Sequence, residues 1–193
     1  MSWAVWITGL PGSGKTTIAS QVVSSLARRG QRVAVLEASA FAAEVIPGHV
    51  PSSHELDIVH RALIRTAAEL TRAGIPVVID ATAHRRAWRE AARTAIARFA
   101  EVQLVCPHDV CGAREQAVRW GRMTSPTHGS LAPAKPDIVL DYEYSLRADL
   151  TVHTDVQHVW TAVEAIVALV DRFGRAPLGE RSAETPPEPP GRS

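Results

Sequence analysis

The chain has 193 residues, 21 Lys and Arg against 20 Asp and Glu for a formal net charge of +1, and 46% hydrophobic residues. That length and apolar fraction fit one domain whose core stands without staples. The near-neutral balance excludes a broad nucleic-acid footprint, which needs a basic excess on one face, and the two cysteines, Cys106 and Cys111, make neither a metal quartet nor a disulfide framework.

The first predicted element is an apolar strand from Trp3 to Thr8, and it runs into Gly9-Leu10-Pro11-Gly12-Ser13-Gly14-Lys15-Thr16 followed by Thr17. These eight positions spell a phosphate-binding loop in its proper setting, after a strand and opening a helix. Gly9, Gly12 and Gly14 let the backbone turn through positive φ, so successive N–H groups face one concavity at a helix N-terminus. Lys15 adds a cation for the β and γ phosphates, and the Thr16 hydroxyl is a ligand for the Mg²⁺ that bridges them. ATP and Mg²⁺ are therefore the expected cofactors. A glycine-rich turn that binds nothing would need neither the lysine nor the hydroxyl.

The helix from Lys15 carries Ile18, Val22, Val23 and Leu26 on one face and ends at Gly30, a favoured residue just past a helix end. Arg32 to Glu37 reads as a short strand, apolar enough to be buried on both sides. Ser39 to Ser53 reads as a short helix and an irregular loop. Ser52 and Glu55 form a capping box for a helix to about Arg72, closed by Gly74 and Pro76. A strand at Val77 to Asp80, a helix from Arg86 to Ala100 and a strand at Val102 to Cys106 follow. Asp109 caps a helix to about Trp120.

Gly121 to Pro136 is dense in glycine and proline and sits where a lid belongs. Leu150 to His153 reads as the last strand and Val156 to Phe173 as the last helix. Residues 1–173 thus form the domain, and 174–193, rich in proline and charge, read as a disordered tail. Alternating strands and helices imply right-handed crossovers and an α/β fold, a P-loop NTPase-like parallel sheet of about five strands with helices on both faces and a lid.

Ligands of such sheets collect at the carboxyl ends of the strands. Three clusters fall there: the glycine loop, Glu37, and Asp80 through Arg86. Phosphoryl transfer needs a phosphate cradle, a metal, a group to orient the acceptor hydroxyl, and cations. Lys15, Glu37 and Asp80 are the candidate catalytic residues, with Thr16 and Asp80 as the Mg²⁺ ligands. Either acid can orient the acceptor. Asp80 could instead cap the next helix, and Glu37 could pair with Arg61 or Arg86. Phe41 and Trp88 are of the type that stacks on an acceptor ring, and equally of the type that fills a core. His49, His54, His60, His108 and His128 show no metal-ligand spacing.

From Trp6 to Thr17, and again through Leu36-Glu37, Asp57 to Leu63, Val77 to Arg86 and Cys106 to Arg114, the chain resembles the adenylylsulfate (APS) kinase family of P-loop kinases. The resemblance covers most of residues 3–170. It implies transfer of the γ-phosphoryl of ATP to a hydroxyl of a small substrate, in that family the 3′-hydroxyl of adenylylsulfate. It assigns Gly9 to Thr17 and Arg114 to the nucleotide, and Glu37, Arg61 and Arg86 to the acceptor; Ser39 and Phe41, close to Glu37 in sequence, complete the candidate acceptor-binding set. It also implies a homodimer, since such kinases are often dimers.

The chain departs from the family after Glu37, where the second acid is Ser39 and the arginine that follows is replaced in the run Ala40 to Ala43. Alanine cannot grip an anion bidentately as arginine does. The leading expectation is accordingly an ATP-dependent kinase acting on a small nucleotide-like or anionic metabolite. Authentic adenylylsulfate kinase is the first alternative, and a non-catalytic ATP-binding regulator the second. No basic segment followed by an apolar run opens the chain, and no stretch reaches membrane-span length. The expected setting is the cytoplasm, with no membrane and no nucleic-acid partner.

Overall fold

The computed structural model describes residues 2–46, 51–123 and 141–175. The expected lid beyond residue 123, the tail beyond residue 175, and His49 and His128 lie outside the described residues. The element order is β1 (Ala4–Gly9), α1 (Lys15–Arg28), β2 (Ala34–Glu37), α2 (Ala38–Val45), α3 (Ser53–Arg72), β3 (Val77–Asp80), α4 (Arg86–Ala95), β4 (Phe99–Val105), α5 (His108–Met123), β5 (Leu150–His153) and α6 (Val159–Arg175).

The five strands form one sheet in the order β2-β3-β1-β4-β5. Every pairing is parallel. Alternate residues of β1 serve opposite faces. Val5 and Ile7 join Ile18, Val22 and Leu26 of α1 and Val163, Ile166 and Val167 of α6. Ala4 and Trp6 join Leu63 and Ala67 of α3 and Trp88 and Ala92 of α4. Two helical layers thus sandwich the sheet, as continuous apolar strands require.

The ends of the elements follow local chemistry. Gly30, at φ 76°, turns the chain out of α1, with its N–H donating to Ala27. The Ser52 side chain accepts from the Glu55 N–H while the Glu55 carboxylate accepts from the Ser52 N–H at 2.7 Å, completing the capping box.

Three expectations need correcting. β2 is not buried on both sides: it is the edge strand, and Val35 is 48% exposed. α4 stops at Ala95 rather than Ala100, because Ile96 is already extended at φ −115° and ψ 116° and Phe99 and Ala100 pair with Ala4 and Val5 in the centre of the sheet. α6 begins at Val159, since the amides of Val156 and Gln157 bond back to the His153 carbonyl in a turn.

Candidate functional site

The turn after β1 is held open by three glycines: φ is 149° at Gly9, 75° at Gly12 and 93° at Gly14. Gly12 also lacks room for a side chain, since a Cβ there would stand 2.2 Å from the Cys111 carbonyl oxygen. The loop therefore rests directly on the backbone of α5. Leu10, Cys106 and Cys111 fill the space beneath it, and burial pushes the Cys111 thiol up to about 12, which makes it packing and not a nucleophile.

α1 begins at Lys15 with no side-chain cap, so its first amides are left to a ligand in the concavity. Lys15 curls back, its Nζ donating to the Leu10 carbonyl at 2.9 Å. Ser13 is fully buried and its hydroxyl has no partner.

Asp80 ends β3 in register with Ile7 of β1 and Glu37 of β2. Only 5% of it is exposed. Burial holds its carboxyl above the ordinary carboxylate range, opposed by a hydrogen bond from Thr16 and the charge of Lys15 and reinforced by the charge of Glu37. A carboxylate so placed is costly when ionised unless a cation joins it. One carboxylate and one hydroxyl fit Mg²⁺, which takes oxygen ligands and completes its shell with phosphates and water. Among the described residues no group of three or more His, Cys, Asp and Glu converges on a metal. Glu37 is exposed and accepts a hydrogen bond from the Ser39 hydroxyl.

A cavity of about 280 Å³ adjoins the loop, lined by Ser13, Gly14 and Thr17 on one side and Arg114, Thr154, Gln157 and Val159 on the other. Arg114 is fixed at its mouth, donating to the Thr154 carbonyl at 2.8 Å and the Thr154 hydroxyl at 3.3 Å.

Beyond the strand ends, Phe41 is half-buried on α2 against the apolar layer of α3 and α4. Arg61 is exposed on α3 and opens onto the groove between α3 and α4, beside Arg65 and Ala91. Arg86 is turned to the segment before β5: its N–H donates to the Glu143 carboxylate at 2.7 Å and its guanidinium to the Tyr144 carbonyl at 3.4 Å. Arg85 is paired, at 3.2 Å, with Asp57, which also accepts from Trp88 at 2.8 Å.

Sequence reasoning missed Thr8, Ala83, Arg89, Glu101 and Tyr142. Thr8 donates to the Thr82 carbonyl at 2.6 Å and meets the Tyr142 hydroxyl at 3.0 Å. Arg89 and Glu101 form a buried pair at 2.7 Å, 0% and 1% exposed. An acid within the mostly apolar β4 was the available signal, because a buried carboxylate demands a cation.

A profile of the family described as adenylylsulphate kinase matches residues 1–141. A protein of Archaeoglobus fulgidus named "Probable adenylyl-sulfate kinase" is 36% identical over 149 residues, covering 73% of this chain and 96% of that protein. An adenylyl-sulfate kinase of Rippkaea orientalis is 31% identical over 168 residues, covering 84% and 91%. The Mycobacterium tuberculosis APS kinase CysC, solved in complex with AMPPNP and APS, superposes with a TM-score of 0.69 at 22% identity, covering 88% of this chain and 98% of that one. At that identity the superposition establishes the fold, and the sequence matches establish kinship. The chain belongs to the adenylylsulphate kinase family and is an ATP-dependent phosphotransferase with a hydroxyl acceptor.

Proposed function

We propose that Gly9, Leu10, Pro11, Gly12, Ser13, Gly14, Lys15, Thr16 and Thr17 hold the triphosphate of ATP, and that the acceptor, a small nucleotide-like or anionic metabolite, lies against the ends of β2 and β3. The observation that carries this is the convergence on one edge of Asp80, the Thr16 hydroxyl bonded to it and Lys15 beside it, with Glu37 on the same rung of the sheet. Thr16 and Asp80 would hold Mg²⁺, which when bound neutralises charge on the β and γ phosphates. Lys15 leaves the Leu10 carbonyl to meet the same oxygens. The cavity beside Arg114 receives the nucleoside end of ATP.

Glu37 faces open space at the strand edge, within reach of an incoming hydroxyl, and it orients that hydroxyl and takes its proton. Ser39 steadies the carboxylate. Phe41, Arg61 and Arg86 flank the acceptor side, Arg61 and Arg86 through their charge. An enzyme of this chemistry works where ATP is kept, in the cytoplasm, and the family resemblance carries a homodimer, which light scattering on the purified chain would test.

Adenylylsulfate is the first acceptor to try, because the curated relatives bear that name. The decisive assay incubates the protein with Mg·ATP and a panel of sulfonucleotides, nucleosides and polar metabolites and looks for the mass gain of one phosphoryl group. Transfer to some panel member is expected. ATP binding without transfer to any of them would turn the reading toward a regulator.

A further inference from the structure

Arg89 is buried to 0% exposure yet bonds to three separate parts of the chain. Its Nε donates to Glu101 of β4 at 2.7 Å, its Nη1 to the Ala83 carbonyl and its Nη2 to the Glu143 carbonyl, while its guanidinium lies 5.2 Å from the centre of the Tyr142 ring. Arginine keeps its proton, so a buried one must be matched in charge and in hydrogen bonds. Glu101 supplies the charge. The two carbonyls come from the loop after β3 and from the segment that enters β5.

Both partners are unusual in their own right. Ala83 has φ 43°, a left-handed conformation that a residue with a Cβ rarely adopts and that surrounding structure must hold. Residues 141–149 have little regular structure, and side chains and backbone of α4 tie them down: Arg86 bonds to Glu143, and Arg93 to Asp149 at 2.8 Å. The Glu143 N–H donates to the His84 carbonyl at 2.9 Å.

The second anchor of this segment is Tyr142. The single proton of the Thr8 hydroxyl goes to the Thr82 carbonyl, so the Tyr142 hydroxyl, 3.0 Å away, is the donor to Thr8. Thr8 immediately precedes Gly9 of the phosphate loop. The relay thus connects the segment before β5, the loop after β3 and the strand residue that leads into the cradle.

A buried ion pair is poor support for a stability role, since well-packed apolar side chains of the same volume often do as well. What apolar side chains cannot do is bond two carbonyls from two loops at once. We propose that Arg89, charge-matched by Glu101, is a positioning residue for acceptor binding: it joins residues 82–84 and 142–144 into one wall, and Tyr142 sets that wall against the phosphate loop through Thr8. This rests on the reading that the acceptor lies against these strand ends.

The test compares Arg89→Met/Glu101→Leu, Arg89→Lys and Tyr142→Phe with the wild type. Melting, AMPPNP affinity with Mg²⁺, amide exchange and adenylylsulfate kinetics are measured on each. In the double variant, melting and AMPPNP affinity should stay near wild type, exchange in residues 82–84 and 141–149 should rise, and the KM for adenylylsulfate should rise about tenfold or more with a smaller change in kcat. Arg89→Lys should recover part of the KM and Tyr142→Phe should lose part of it. Unchanged exchange and KM in a folded double variant, or AMPPNP affinity lost in step with KM, would overturn the positioning role. If the double variant does not fold, Tyr142→Phe decides, and wild-type exchange across 141–149 in that variant overturns the proposal. No turnover of adenylylsulfate by the wild type counts against the acceptor reading alone, and the exchange and AMPPNP measurements then decide between the two outcomes.

Discussion

Glu37 and Asp80 occupy one rung of the parallel ladder between β2 and β3, yet Glu37 faces solvent and Asp80 is 5% exposed beside Thr16 and Lys15. On the proposed reading, edge and interior positions on the same rung would divide the labour of two chemically similar acids. Glu37→Gln keeps the shape and leaves the nucleotide side untouched, so Mg·ATP affinity should stay within about twofold while kcat falls by roughly 100-fold, the usual range for a lost acid–base group. Asp80→Asn should weaken both Mg²⁺-dependent nucleotide binding and turnover. Calorimetry beside steady-state kinetics separates the two, and equal losses in the Glu37 variant would assign it to support.

Asp80 also fixes the sign of a pH effect. Burial raises its carboxyl, whereas a bound cation favours the ionised form. Affinity for Mg·ATP should therefore increase as pH rises through the raised value, with release of a proton, and Asp80→Asn should flatten that slope. For the empty protein the sign is opposite. The folded state holds the proton longer than the unfolded one, so this group's contribution to stability falls as pH rises from the ordinary value of 3.8 to the raised one. Isothermal titration in two buffers of different ionisation enthalpy counts the proton.

Lys15→Ala removes the only cation contributed by the loop itself. Phosphoryl transfer should drop by roughly 100-fold or more, because charge developing on the γ-phosphoryl oxygens loses its fixed counter-charge. A single-turnover assay at saturating Mg·ATP measures the chemical step directly. Near-normal transfer would contradict the phosphate-cradle assignment.

The glycine turn and the strand-end positions of Glu37 and Asp80 were legible because each is local: eight consecutive residues for the loop, one strand end for each acid. The capping box at Ser52 and Glu55 was legible for the same reason. What escaped depends on residues far apart in sequence. Thr8 meets Tyr142 across 134 positions, and no short-range pattern encodes that. The exposure of β2 needs the strand order, since an apolar run reads the same at an edge as in the centre. α4 read too long because Ala97 to Ala100 has no breaker. The pull of the central sheet on Phe99 and Ala100 decided that boundary, and it is a tertiary effect. Arg86, assigned to the acceptor on resemblance, bonds to Glu143 and Tyr144, contacts made by a segment whose path the sequence did not reveal.

Gly12→Ala should be the most damaging small change in the loop. A Cβ there meets the Cys111 carbonyl at 2.2 Å, and the backbone sits at φ 75°. The left-handed conformation alone costs about 1–2 kcal/mol for a residue with a Cβ, and the backbone of α5 cannot yield as a flexible side chain would. Gly14→Ala shares the positive φ but has no atom within 4 Å of the added carbon. Chemical denaturation should rank Gly12→Ala well below Gly14→Ala, and equal midpoints would dissociate the loop from α5.

His60 offers a stability test independent of catalysis. It is 4% exposed, stacked 3.8 Å from the Trp88 ring and parallel to Trp6 at 6.4 Å, with Nδ1 2.7 Å from the Leu56 carbonyl and Nε2 without a partner. Nδ1 must carry the proton of the neutral ring. Burial, against the Leu56 hydrogen bond, lowers its pKa from 6.5 to about 4. The unfolded chain therefore takes up a proton first as pH falls, so the stability present above 6.5 is lost progressively toward about 4. The loss from this group is on the order of 3 kcal/mol, at 1.36 kcal/mol per unit. His60→Phe keeps a flat ring between the two tryptophans and removes the titration. Denaturation midpoints measured between neutral pH and the acid limit should fall less steeply in the variant than in the wild type, while parallel slopes would show that His60 protonates freely in the folded state.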